Sequence, residues 1–157
     1  MDLLKNAKFS RLECSNADGD TTIDTMAVDM AGFDSVMFVV LLGSTVDEGV
    51  VLTLLADDSS DNSDFTETEA TVSATGAAAA ADIEKLMILN INKPLNRYVR
   101  ASLEFTTQTA EVDGIMAIQY NANDGPITQP TATYSDGTTA AGVIGSATFA
   151  SPGAASS

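Results

Sequence analysis

Apolar and polar residues alternate with a period of two along much of the first 120 positions, the spacing of strands with one face in a core. In TTIDTMAVDM (21–30), Met26, Val28 and Met30 fall on one face and Asp29 on the other. SVMFVVLL (35–42) is apolar almost throughout, which suits a strand covered on both faces or lying at an interface. Turn residues at 44–49 lead into VVLTLLA (50–56), so the pair reads as a hairpin with a connection longer than the tightest kind. DDSSDNSD (57–64) reads as a solvated acidic loop, with a weaker strand after it at 65–72. SATGAAAAAD (73–82) favours helix by composition but is short, so it is read as a loop with one helical turn at most. EKLMILNI (84–91) is a strand ending at Asn92-Lys93-Pro94, because proline cannot donate to a ladder.

In RYVRASLEF (97–105), Val99, Ala101, Leu103 and Phe105 share one face and Tyr98, Arg100, Ser102 and Glu104 the other. TTQTAEVDG (106–114) reads as the connection and IMAIQY (115–120) as the return strand. Strands at near-regular spacing, with no long helices between them, predict an all-β fold, an antiparallel β-sandwich or jelly roll. The expected organisation is an N-terminal segment (1–20), a sandwich domain (21–120) and an extended, low-complexity C-terminal arm (121–157). The arm is rich in Gly, Ala, Ser and Thr, holds Pro126, Pro130 and Pro152, and has Asp124 and Asp136 as its only charges. TATY (131–134), GVIG (142–145) and ATFA (147–150) have strand character, so the arm is expected to gain order by lying on its own sandwich or on a neighbouring subunit.

Charge narrows the range of partners. The net charge is −15, and no Lys or Arg occurs between residues 12 and 84 or after Arg100. Cations are confined to Lys5, Lys8 and Arg11 and to an island of Lys85, Lys93, Arg97 and Arg100. This argues against nucleic acid and against an anionic membrane as direct partners, since both are held by clustered cations. The N-terminus lacks the apolar core of a signal peptide, and the apolar run at 36–42 is too short to span a bilayer, so a soluble protein made in the cytoplasm is expected.

Chemical signatures are sparse. Cys14 is the single cysteine and the chain has no histidine, so Cys14 reads as a plain thiol without a base to activate it. Neither G-x-S-x-G nor a Gly-rich phosphate loop followed by Lys is present. The acidic stretch 57–64 offers hard oxygen ligands but lacks the central Gly and terminal Glu of an EF-hand loop, and NADGD (16–20) reads as a turn. No enzyme, cofactor or metal is therefore expected. The cation island has two readings, neutralisation of the protein's own acids or a patch facing a partner. Strand parity places the stem of Arg97 at the rim of the core, with its guanidinium on an acid at the sheet's end. It places Arg100 with Tyr98 and Glu104 on the outward face, where these three and Lys93 are the candidate interface residues.

Several short pieces follow one another along the chain: Val28-Asp29-Met30 with Gly32-Phe33, Asn92-Lys93-Pro94, Arg97-Tyr98-Val99-Arg100, Ile115 to Tyr120, and Pro126-Ile127-Thr128-Gln129. Together they span roughly residues 20–130, and the chain resembles the capsid decoration, or cement, proteins of tailed bacteriophages. The resemblance implies a sandwich that binds the outer surface of an icosahedral shell, with the major capsid protein and its own copies, often as a trimer, as partners. It implies a place on the virion exterior after synthesis in the bacterial host. The longer, Ala/Ser/Thr-rich arm departs from that pattern. The alternative is a carbohydrate- or receptor-binding jelly roll of a phage fibre, for which the absence of Trp and the presence of only Tyr98, Tyr120 and Tyr134 provide few aromatic platforms.

Overall fold

The longest apolar run becomes the longest strand. In the computed structural model, which describes residues 3–13, 22–46, 51–65, 67–75, 85–105 and 110–123, β4 runs from Phe33 to Val46. A single helical turn, α1 (Leu3–Asn6), precedes β1 (Lys8–Glu13). The remaining strands are β2 (Thr22–Asp24), β3 (Val28–Asp29), β5 (Val51–Ser59), β6 (Glu67–Thr75), β7 (Leu86–Asn92), β8 (Tyr98–Phe105) and β9 (Ala110–Ala122). No helix of the described residues is long and apolar enough to cross a membrane.

Two antiparallel sheets face each other. One has the order β1-β9-β4-β7, the other β2-β8-β5-β6, with β3 also pairing with β8. If β2 and β3 are counted as one strand, successive strands trace the eight-stranded jelly roll. The alternating residues of both sheets fill one core: Val36, Phe38 and Val40 from β4, Leu52 and Leu54 from β5, Val99 and Leu103 from β8, and Ile115 from β9 are all at or below 1% exposure. Antiparallel pairing and a shared interior explain the period-two pattern, since every second side chain must leave water.

Some sequence expectations give way. β4 and β5 do not form a hairpin, because β4 pairs with β7 and β9 while β5 pairs with β6 and β8 in the opposite sheet. Likewise β8 and β9 lie in different sheets, and β9 begins at Ala110, within the stretch read as connection. A short polar connection looks the same in sequence whether it turns within a sheet or passes between two. The N-terminal segment is part of the sandwich, since β1 pairs with β9 from Lys8 opposite Gln119 to Glu13 opposite Ile115. Cys14, the NADGD turn, the alanine run at 76–82 and residues 124–157 of the arm lie outside the described residues.

The acidic stretch also differs. Asp57, Asp58 and Ser59 continue β5 and are buried at 9%, 2% and 4% exposure, rather than standing in a solvated loop. The loop proper begins at Ser60, where Asp61 folds back on its surroundings. Its Oδ1 accepts hydrogen bonds from the Ser63 amide (3.0 Å), the Ser63 hydroxyl (2.7 Å) and the Ser59 hydroxyl (3.1 Å). These bonds, led by the Ser63 hydroxyl, hold the Asp61 carboxyl below its ordinary pKa. Among the described residues no three acidic or cysteine side chains are grouped to hold a metal ion.

Candidate interaction surface

The site begins with an irregularity beside β8. Thr22, Ile23 and Asp24 lie opposite Glu104, Leu103 and Ser102, and Val28 and Asp29 lie opposite Val99 and Tyr98. Residues 25–27 therefore cover a stretch that Arg100 and Ala101 cover on β8. The extra residue reverses the alternation, so Ile23 and Thr25 are buried before the bulge and Val28 and Met30 after it. Met26, expected on the face of Val28 and Met30, is only half-buried for this reason. Thr25 holds the bulge together: its amide donates to the Ala101 carbonyl (2.9 Å), and its hydroxyl accepts from the Ala101 amide (3.0 Å).

By reversing the alternation, the bulge turns both Asp24 and Asp29 away from the core, toward the two arginines of the opening of β8. Arg100 reaches Asp24 and Asp57 through one nitrogen at 3.4 Å from each, and its guanidinium carbon lies 4.7 Å from the centre of the Phe65 ring. Its side chain is 24% exposed, and Nε is buried with no hydrogen-bond partner among the described residues. Arg97 donates from Nε and from a terminal nitrogen to the two oxygens of Asp29, each at 2.8 Å. That bidentate bond pulls the Asp29 carboxyl below its ordinary pKa and pushes the Arg97 guanidinium up. Arg97 also lies 5.1 Å over the Tyr98 ring.

Parity thus identifies the two faces of β8, but the solvent exposure of the arginines is the reverse of what was expected. Arg97, expected at the core rim, meets its acid with a side chain 55% exposed, whereas Arg100, expected outward, is enclosed by its own chain. The reason is that strand β5 brings Asp57 beside Arg100, opposite it in the ladder, and the Phe65 ring lies against the Arg100 guanidinium. Glu104 and Lys93 are exposed and Tyr98 is half-buried.

The turn between β7 and β8 completes the surface. Lys93 has a left-handed backbone (φ 57°), and its amide donates to the Asp34 carbonyl at 2.7 Å. The Met30 amide donates to the Arg97 carbonyl at 2.8 Å, and Gln119 Nε2 donates to the Asp29 carbonyl at 2.8 Å. Ser35 donates to Asn92, and Asn121 donates to Ser35. Held from below in this way, the turn presents Leu95 at 82% exposure between Lys93 and Arg97, beside a shallow hollow of about 330 Å³ that reaches Met30 and Phe33. Sequence reasoning missed Leu95 and Asp29 as members of this surface, because the period of a strand says nothing about an apolar residue in a turn. The only signal for Leu95 is its place between two cations.

No protein-family model matches the chain, and no curated protein matches it. Among solved structures it is similar to a chain in the structure of infectious bursal disease virus, Gx strain, with a TM-score of 0.45 and 11% identity. The match covers 76% of this chain and 33% of that one, so the chain spans about a third of the length of the viral chain. A likeness of that degree carries no argument about what the chain does.

Proposed function

We propose that this chain is a non-enzymatic virion structural protein that binds the outer surface of a bacteriophage capsid and stabilises the shell. The observation that supports the reading most is spatial. Val28-Asp29-Met30, Gly32-Phe33, Asn92-Lys93-Pro94, Arg97-Tyr98 and Gln119-Tyr120 come from three distant parts of the sequence and meet at one end of the sandwich. There they build a braced turn whose exposed tip is Leu95 flanked by Lys93 and Arg97, an apolar anchor rimmed by cations in an otherwise acidic protein. Such a tip suits a partner surface with an apolar pocket, because side chains that are fully desolvated near the centre of a contact carry most of its energy. Jelly rolls serve both capsid and lectin domains, so the fold supports the reading by analogy alone. Lattice binding would stabilise the shell by mass action, and trimeric copies would add their contacts through effective concentration.

The fibre-module alternative has less support. The Tyr98 ring is occupied by Arg97, and the Tyr120 hydroxyl donates to Asn90 at 2.6 Å. The test is co-sedimentation of the purified protein with heads of the parent phage stripped of it. Leu95→Ala is expected to keep the parent melting temperature and to weaken binding by roughly tenfold or more, the range of an anchor residue. Parent-like binding by Leu95→Ala and by Lys93→Ala together would overturn this surface, and failure of the parent protein to bind any head would overturn the function.

A further inference from the structure

The outer face of the β1-β9-β4-β7 sheet is apolar where the outer face of the other sheet is charged. Met37 and Leu41 of β4, Leu86 and Ile88 of β7, and Met116 and Ile118 of β9 all point away from the core. Leu86 is 56% exposed, Ile88 49% and Leu41 37%. At one end the face opens into a groove of about 640 Å³ lined by Leu3, Met37, Ile118, Tyr120 and Ala122 among others. A contiguous apolar patch on the outward row of a sheet-edge strand is a hazard for edge pairing and aggregation unless something covers it.

We propose that the chain's own C-terminal arm covers this face. Four observations favour the arm over other occupants. First, the arm starts at the groove. β9 ends at Ala122, which lines it, and the Asn121 side-chain amide, at the same end, donates to the Ser35 hydroxyl of β4. Second, the length suffices. One pass back along β4 needs about as many extended residues as that strand's 14, and residues 124–157 hold more than twice that number. Third, the charge fits: of the net −15 the arm carries only Asp124 and Asp136, so it meets little repulsion. Fourth, the arm carries apolar residues in strand-like stretches, Tyr134, Val143, Ile144 and Phe149. A tethered segment also binds at high effective concentration, which lets modest contacts hold. This inference stands apart from the capsid reading and does not use the Leu95 surface.

Methyl-labelled methionines report on it in the full-length protein. Met37 and Met116 lie on the apolar face, while Met30 and Met87 are buried in the core at 5% exposure each and serve as internal controls. In the full-length Ile144→Asp/Phe149→Asp variant, the Met37 and Met116 methyl signals are expected to move toward their solvent-exposed positions. Those of Met30 and Met87 should stay in place, and tenfold dilution of the parent should change nothing. A second full-length variant, Ile88→Asp, should speed chymotryptic cleavage after Phe149 by about tenfold, the factor equivalent to 1.4 kcal/mol of lost docking. Unmoved Met37 and Met116 signals would overturn the proposal. So would parent signals that change on dilution, which would assign the face to a second copy or to that copy's arm.

Discussion

Arg97 and Asp29, 68 residues apart in sequence, are joined by two parallel hydrogen bonds of 2.8 Å across the end of the sandwich. The pair exists because the bulge at 25–27 shifts the register of β3 by one residue, which puts Asp29 on the side of the sheet that Arg97 can reach. In an unbroken ladder over the same residues, Val28 would lie opposite Tyr98 and point outward, and Asp29 would point into the core. A local defect in one ladder thus arranges the charges of the whole surface.

The first prediction concerns the acid titration of Asp29. Its folded pKa lies below its unfolded one, chiefly through the hydrogen bond from Arg97, with burial opposing and the Ala31 amide assisting. The contribution of the pair is therefore present at and above the unfolded value of about 3.9 and is lost as pH falls through the lower folded value. Both side chains are largely exposed, so the effect on melting at neutral pH is expected to be small. Acidification also relieves the repulsion of the net −15, which works in the opposite direction, so the site is best followed by the carboxyl carbon signal of Asp29 itself. In Arg97→Ala that titration is expected to rise toward about 3.9; an unchanged midpoint would show that the ion pair does not form in solution.

Of the two arginines, Arg100 is the one whose loss is expected to affect folding. Its removal takes a cation from Asp57, whose side chain is 13% exposed, and opens the space beneath Phe65. Arg100→Ala is expected to cost about 1–3 kcal/mol, the range for removing a charged partner from a buried polar group, or a melting decrease of roughly 2–4 °C per kcal/mol for a chain of this size. Asp57→Asn in the Arg100→Ala background should recover part of the loss, because the buried charge is then gone. Thermal melts of the two variants check this, and an Arg100→Ala protein as stable as the parent would place the guanidinium outside the structure's economy.

The sequence made the strands and their faces legible because burial imposes a period of two. Val99, Ala101, Leu103 and Phe105 face the core as their spacing says, and β7 alternates without exception. Strand pairing was not legible, since Val46 and Val51 are as close in sequence as the ends of a hairpin although their strands belong to different sheets. The fate of Asp57 and Asp58 was hidden for a related reason. A carboxylate reads as solvated until its partners are known, and Arg100 and Asn96 lie about forty residues away, with Asn96 donating to Asp58 at 2.8 Å. The bulge had no sequence mark at all, because Thr25, Met26 and Ala27 carry no glycine and continue a plausible alternation.

Gly43 marks a close approach between β4 and β9. A Cβ there would stand 2.7 Å from Glu111 Cγ and 3.0 Å from an Asp113 carboxylate oxygen, beside an irregular stretch of the ladder. Gly43→Ala is expected to destabilise by about 1–3 kcal/mol, as overpacking does, and Glu111→Ala in the same chain should return most of it. A double-mutant cycle by denaturant unfolding measures the coupling, and additive effects would mean that the two positions do not touch.

The last prediction tests the bulge itself. Thr25 is 5% exposed, and its hydroxyl stands where a strand carbonyl would otherwise accept the Ala101 amide, while it donates onward to the Met26 carbonyl at 2.9 Å. Thr25→Val keeps the shape but leaves the Ala101 N–H buried without an acceptor, at a cost of about 1–3 kcal/mol. Thr25→Ser retains the hydroxyl, loses one methyl group and should cost about 1 kcal/mol or less. The informative readout is the amide of Ala101, which sits between Arg100 and the core. Its hydrogen exchange should quicken in Thr25→Val by more than the global loss of stability accounts for, and it should not do so in Thr25→Ser. If the bulge also positions Asp29, the Asp29 carboxyl should titrate closer to its ordinary value in Thr25→Val, as it does in Arg97→Ala. Parent-like exchange at Ala101 in Thr25→Val would mean that the side chain fills space there and that the register of β3 is set elsewhere.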